Sequence, residues 1–455
     1  MTLDPQRRAR PPGPAPVTKN PFSLLAYMRR MRDGAAQTVG ARFETYGDIY
    51  YAPFLGRDVY VLRHPDHIRE VLIRQASKLG KPTSGLTASQ LSRLLGEGLL
   101  NANGDSWRRR RRLIQPAFSS KRLQAYAETI GAHTEDALAR WRPGQRVDLS
   151  REMMELTLRI VSKTLFDHDV HGETDRFAAA IHTFRQAFGG IDAMLPDWVP
   201  TRGKRRTLAA MEEVDALVYG LIDARRASAG GGGDDLLTAL ATGGDGDDRL
   251  TRRELRDELL TLFIAGHETT SHALTWTLHL LSQHRAIEAR VRDEVRALDA
   301  AGPGWDDLPA LDLTRRVLEE SMRLYPPAYA VPRTATEDVE VGGYVIPAGA
   351  DVVIWIHHVH RDGRWFEDPE RFDPDRFLPE RKKALPQCAY LPFGAGQRAC
   401  IGKQFAMMEA QLILARVLRA WRFDPDPAHV VRPRLAVTMS PRGGLPVFLR
   451  EADIS

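Results

Sequence analysis

The 455-residue chain is 43% hydrophobic and 27% charged, a globular balance that excludes a disordered or low-complexity protein. Its net charge of +5 comes without aromatic–basic interleaving or a nucleic-acid motif, so it reads as an arginine-rich surface with no nucleic-acid partner. No stretch of about 18 apolar residues occurs, which predicts a soluble chain with no membrane anchor. Two cysteines, Cys388 and Cys400, suit a reducing, cytoplasmic setting better than a disulfide framework.

Residues 1–20, rich in Pro and Arg and lacking an apolar run, read as a flexible N-terminal arm rather than a signal peptide. Residues 21–455 read as a single domain. Ile49–Leu55 and Asp58–Leu62, β-rich runs around Gly56-Arg57, predict a hairpin. His64-Pro65-Asp66 opens a helix over His67–Arg74. From Lys81 to Leu100, Gly, Ser and Thr interrupt the pattern and predict a long mobile loop with short helical pieces. Helical periodicity holds from Ser106 to Arg226. Gly230–Gly233 and Gly243–Asp248 read as surface loops around a short helix at Leu236–Leu240. Thr251-Arg252-Arg253-Glu254 spells a capping box, and Leu255, Leu259, Leu262 and Phe263 recur at helical spacing, so a long helix runs past Leu280. Short strands follow at Val339–Val341, Tyr344–Ile346 and Asp351–Ile356. An irregular stretch, Arg361–Phe393, is of a length unusual unless functional. A last long helix spans Gly402–Trp421.

The segment from Phe393 to Gly402 carries the strongest chemical signal. A cysteine just ahead of a helix meets the positive end of the helix dipole and free backbone N–H groups, which favour thiolate over thiol. Gly396 allows a tight turn, and Gly402 allows close approach of a flat ligand. Phe393-Gly394-Ala395-Gly396-Gln397-Arg398-Ala399-Cys400-Ile401-Gly402 resembles, at every fixed position, the haem-binding signature of the cytochromes P450. The resemblance implies a mainly α fold with a smaller β-rich part and haem b between the long helix and the cysteine loop. Cys400 is then the axial ligand to iron, Phe393 its shield, and Arg398 a propionate partner. Cys388 fits no such pattern and reads as structural.

Other segments agree in chain order. Trp107 and Arg111 share a helix face and resemble the family's propionate-binding pair, as does Arg333 in Val331-Pro332-Arg333. Most of the run Arg108–Arg112 reads as solvated. Ala265-Gly266-His267-Glu268-Thr269-Thr270 resembles the oxygen-activation motif. It implies contact of Ala265 with haem, Thr269 as hydrogen-bonding partner of dioxygen, and Glu268 as proton source; Gly266 suggests local widening of the helix. Glu320 and Arg323 share a face, and the family pattern completes them with a second arginine. Phe372-Asp373-Pro374-Asp375-Arg376-Phe377 fits that pattern in register, so the structural set is Glu320, Arg323 and Arg376, not Arg371 and not Glu319. By family position, Leu86, Phe263, Ile264, Ala328, Tyr329, Ala330 and Met439 line a substrate pocket.

The resemblance implies a monooxygenase that inserts one oxygen atom of O2 into a lipophilic small molecule of terpenoid, fatty-acid, polyketide or steroid class. Electrons come from a separate ferredoxin or flavodoxin-type donor with its reductase, steered by Lys403, Arg381, Lys382 and Lys383. The protein is expected to act as a monomer. The alternative is a peroxide-dependent peroxygenase, against which the intact Glu268-Thr269 pair argues. A haem sensor has no use for that pair.

Overall fold

The computed structural model describes residues 10–18, 20–167, 183, 201–227, 235–242, 249–298 and 302–452; at 21, 32, 33 and 86–90 only the backbone is described. The expected loops at Gly230–Gly233 and Gly243–Asp248 lie outside these residues. In chain order the helices used below are α1 (Pro21–Tyr46), α2 (Pro65–Arg69), α3 (Leu86–Leu95), α4 (Gly104–Ile114), α5 (Ser120–Leu138) and α6 (Leu149–Phe166). They continue with α7 (Arg202–Ala227), α8 (Leu236–Thr242), α9 (Arg252–Gln283), α10 (Arg285–Arg296), α11 (Asp312–Leu324), α12 (Ile356–Val359), α13 (Pro379–Ala384) and α14 (Lys403–Ala420). Strands are β1 (Ile49–Tyr51), β2 (Val59–Leu62), β3 (Leu79–Gly80), β4 (Arg146–Asp148), β5 (Val331–Ala335) and β6 (Val339–Val341). The later ones are β7 (Tyr344–Ile346), β8 (Asp351–Ile354), β9 (Trp421–Pro425), β10 (Pro433–Leu435), β11 (Met439–Pro441) and β12 (Pro446–Glu451).

The chain forms two compact units, Met1–Pro82 with Glu319–Cys400, and Thr83–Leu318 with Ile401–Ser455. The first is built on a five-stranded sheet in the order β1-β2-β8-β5-β3. β2 and β8 run parallel, with Val61 opposite Val353, and the other pairs are antiparallel. Val352 and Ile354 alternate inward along β8 and join Tyr60, Leu62, Ile68 and Ile356 in a buried core. The predicted β1–β2 hairpin is present. The described part of the N-terminal arm is not loose: Tyr51 N donates to Pro12 O at 3.0 Å and Val17 N to Pro53 O at 3.0 Å. The arm thus meets one outward-facing donor at the end of β1 and two backbone groups just beyond it. α2 widens into a π-turn over Glu70–Arg74.

Helix α1 was not expected, although its start is written in the sequence. Asn20 caps it, accepting from Phe22 N at 3.0 Å, with Pro21 at the first helical position.

In the second unit α9 is the spine. Its capping box forms as predicted, with Thr251 Oγ1 accepting from Glu254 N and Glu254 Oε2 accepting from Thr251 N. α9 is buried over most of its length and packs on α6, α7 and α14. The loop with short helical pieces expected at Lys81–Leu100 contains one helix, α3, which Gly85 and Gly96, both at positive φ, bracket. A three-stranded sheet β4-β12-β9 and the hairpin β10-β11 complete the unit.

Candidate functional site

In the first unit, Gly394 and Gly396 sit at φ +69° and +70° and turn the chain into Cys400. A short 3-10 turn, Gly396–Arg398, follows, and Cys400 N donates to Phe393 O at 2.9 Å. A Cβ on Gly396 would stand 1.9 Å from Leu72 O, so only glycine fits. Cys400 is exposed, whereas Cys388 is buried and its thiol is pushed up to about 11 by burial. Phe393 and Arg398 are half-buried in the same loop.

The predicted carboxylate–arginine set is assembled nearby. Arg323 donates from Nε to Glu320 Oε2 at 2.7 Å and from Nη2 to Oε1 at 2.8 Å, and both side chains are fully buried. Asp373 N donates to Glu320 Oε1 at 2.9 Å, and Arg376 Nε lies 3.4 Å from the same atom. Arg323 also reaches the carbonyls of His360, Pro369 and Arg371, which fixes the irregular stretch to α11. Arg371 contributes its carbonyl, and its side chain is exposed. Glu319 instead accepts from Lys382 Nζ at 2.5 Å. His360, read as ordinary, accepts from Leu391 N at 2.9 Å and so props the entrance to the cysteine loop. Of the expected steering charges, Lys383 and Lys403 are exposed, and Arg381 lies 3.8 Å from Asp373.

Arg333 is buried on β5, and burial pushes its guanidinium down to about 10. Lys81, which sequence reasoning missed, is pushed well down by burial and by the charges of Arg333 and Arg398. Three basic side chains gathered in one place suit a dianion, whose charge would favour the protonated form of Lys81, so the pair of carboxylates on a haem edge fits them.

In the second unit, Thr269 and Ala265 share one face of α9. Ala265 is exposed and Ile264 and Thr269 are half-buried, on a helix otherwise enclosed. Thr269 Oγ1 donates to Ala265 O at 2.7 Å. The expected widening at Gly266 is absent, since α9 runs unbroken. Glycine there serves packing: a Cβ would meet Val161 Cγ2 of α6 at 3.0 Å. Glu268 is buried and accepts from Thr438 Oγ1 at 2.7 Å.

The Arg111 guanidinium lies over the Trp107 ring, 5.6 Å from its centroid. An open cleft of about 600 Å³ is lined by Trp107, Arg111, Arg112, Phe118 and Ser119 among others. Aromatic walls with guanidinium groups suit an anionic edge of a flat molecule. The reading of this run as mostly solvated needs correction. Arg110 is buried and donates to Glu258 Oε1 at 2.7 Å and Glu254 Oε1 at 3.1 Å, while Arg109 donates to Glu254 Oε1 at 2.9 Å. Carboxylates on α9 recruit them, which no local pattern reveals.

The substrate candidates divide. Phe263 is buried against Phe166, with ring centroids 4.3 Å apart. Met439 is also buried, and its carbonyl accepts from Trp276 Nε1 at 3.1 Å. Ala328, Tyr329 and Ala330 are half-buried ahead of β5; burial pushes the Tyr329 hydroxyl up to about 12. The side chain of Leu86 lies outside the described residues.

A thiol loop shaped by two left-handed glycines, together with an acid–alcohol step on a buried helix, belongs to the class of haem-thiolate oxidoreductases. The Cytochrome P450 family model matches residues 11–445, and the chain belongs to that family. It is similar to cyclooctatin synthase of Streptomyces melanosporofaciens, 36% identical over 89% of this chain and 90% of that protein. Pentalenene oxygenase of Streptomyces avermitilis is also 36% identical, over 87% of this chain and 89% of its own length. Among solved structures, the cytochrome P450DA heme domain superposes with a TM-score of 0.83 at 27% identity, covering 96% of this chain and 98% of that one. The protein is therefore an oxidoreductase of the monooxygenase type with a haem-thiolate cofactor. No helix among the described residues is long and apolar enough to cross a membrane.

Proposed function

We propose that this P450 oxidises a terpenoid-class lipophilic substrate, using haem b ligated by Cys400 and electrons from a separate ferredoxin or flavodoxin-type donor. The observation that carries the reading is the open, apolar Ile264–Ala265 face of α9 with Thr269 one turn on. The named relatives narrow the substrate class: pentalenene oxygenase and cyclooctat-9-en-7-ol 5-monooxygenase, the latter 35% identical over 85% of this chain.

Haem b, when bound, supplies the chemistry that inserts one atom of dioxygen into an unactivated carbon–hydrogen bond. The protein supplies the setting. Arg333, Lys81 and Arg398 offer positive charge to propionates, as does Arg111 beside Trp107. The Glu320–Arg323–Arg376 set holds the stretch that leads to Cys400. Ile264 and Ala265 give the substrate an apolar wall that excludes water. Thr269 Oγ1, now donating to Ala265 O, can turn to hold a proton at dioxygen, and the Glu268 carboxyl replenishes it.

Thr269→Ala tests the assignment. The variant should keep its haem and consume reductant at the parent rate, but release most of the equivalents as peroxide or water. Equal coupling of oxygen use to product in variant and parent would refute it. Pentalenene and cyclooctat-9-en-7-ol serve as probes of substrate class through the haem spin-state change. Turnover with peroxide alone, and none with reductant plus dioxygen, would favour a peroxygenase.

A further inference from the structure

Glu268, His272 and Trp276 stand at i, i+4 and i+8 on α9 and form one stripe of that helix. All three are buried, at 3%, 2% and 1% exposure. The turn between β10 and β11 is fastened to this stripe at two points. Thr438 Oγ1 donates to Glu268 Oε1 at 2.7 Å, and Trp276 Nε1 donates to Met439 O at 3.1 Å. His272 lies between them. Neither of its ring nitrogens has a hydrogen-bond partner among the described residues, and its Nε2 is 3.7 Å from Glu268 Oε1.

An imidazole carries at least one N–H in either charge state, and a buried N–H left unmet is costly. A small rotation of the ring brings Nε2 onto the Glu268 carboxyl, and the turn itself carries no charged side chain. Residues 436–440 are Ala, Val, Thr, Met and Ser. His279 lies two turns further along α9, and Glu409 of α14 bonds Thr270 on another side of the helix. Successive helical residues diverge by about 100°. The Glu268 carboxyl thus starts on the buried stripe while the Thr269 hydroxyl starts on the open one.

We propose that Thr438 and His272 are positioning residues that hold the Glu268 carboxyl retracted from Thr269, so that proton delivery waits until the 436–441 turn lets go. The proposal rests on the reading of Glu268 as proton source. The proton moves only after the carboxyl exchanges the Thr438 hydroxyl for the Thr269 hydroxyl.

Two measurements on the substrate-free protein test it. Isotope-edited infrared spectroscopy reads the Glu268 carboxyl band. Stopped-flow absorbance reads how fast the reduced, haem-loaded protein reoxidises on mixing with oxygen. Thr438→Val, close in shape, should shift the band and speed reoxidation about fivefold, the scale of one net hydrogen bond. Thr438→Ser, which keeps the donor, should behave as the parent. His272→Leu should shift the band in the same direction, and His272→Gln, which keeps an N–H, should restore it. A parent-like band in His272→Leu would remove His272 from the device. An unchanged rate in Glu268→Gln would sink the proton-source reading itself. A slow Glu268→Gln beside a parent-like rate in Thr438→Val would overturn the retraction alone, with or without a band shift.

Discussion

Two buried arginine–carboxylate sets, one in each unit, use the same chemistry at different ranges along the chain. In the first, Glu320 and Arg323 are one turn apart on α11, and four donors or cations converge on one carboxylate. In the second, Arg110 of α4 reaches Glu258 of α9, a fully buried carboxylate whose other partner is Leu99 N at 3.0 Å. The difference lies in what each pair ties down. Arg323 gives its remaining donors to the backbone carbonyls of His360, Pro369 and Arg371, and so pins an irregular stretch to α11. Arg110 joins α4, which also buries Trp107 and Ile114, to α9, which has its own capping box and an apolar buried face.

The largest expected effect follows from that asymmetry. Arg323→Leu should cost about 4–5 kcal/mol, because it leaves a buried carboxylate with only Asp373 N and the edge-on Arg376 and leaves three carbonyls unmet. It should also abolish haem incorporation, read from the urea midpoint and the ferrous–CO spectrum. A fully haem-loaded variant would break the comparison.

Arg110→Leu should cost about 3 kcal/mol, with haem binding largely retained. Its pH dependence sharpens the point. Burial already holds Glu258 above the ordinary carboxyl value of 4.5, against the pull of Arg110 and of Leu99 N. A carboxyl with a raised folded value binds its proton more tightly when folded, so this contribution favours folding at low pH and fades as pH rises through the folded value. Losing Arg110 raises Glu258 further. The deficit should therefore be widest near neutrality and shrink as pH falls toward 4.5. A pH-independent deficit would assign the loss to packing.

The smallest effects belong to the outer arginines. Arg376→Ala and Arg109→Ala should each cost about 1 kcal/mol or less, since each meets its carboxylate from the edge, with side chains 12% and 22% exposed. A loss in Arg376→Ala as large as that in Arg323→Leu would erase the ranking.

What was legible in the sequence follows the same division. Helix α9 could be read from its capping box and apolar spacing, and Glu320–Arg323 from a one-turn separation. The resemblance to the family pattern, in register over Phe372–Phe377, pointed to Arg376, and the structure puts that arginine beside Glu320. The readings that failed depended on neighbours far along the chain. Nothing near Arg110 announces Glu258, nothing near Glu268 announces Thr438, and Gly266 says nothing of Val161. A helical piece was expected within Lys81–Leu100; what its flanking glycines obscured was its bounds, since glycine breaks a periodic pattern in a sequence and ends a helix in space.

The two thiols have a practical consequence for protein chemistry. Cys388 is enclosed and reluctant to ionise, so a mild alkylating reagent has one accessible sulfur, at Cys400. Stoichiometric labelling then reports a single position without mutagenesis. If that sulfur is engaged by iron, the fraction of protein that escapes labelling is a count of cofactor occupancy, molecule by molecule and without a colour change.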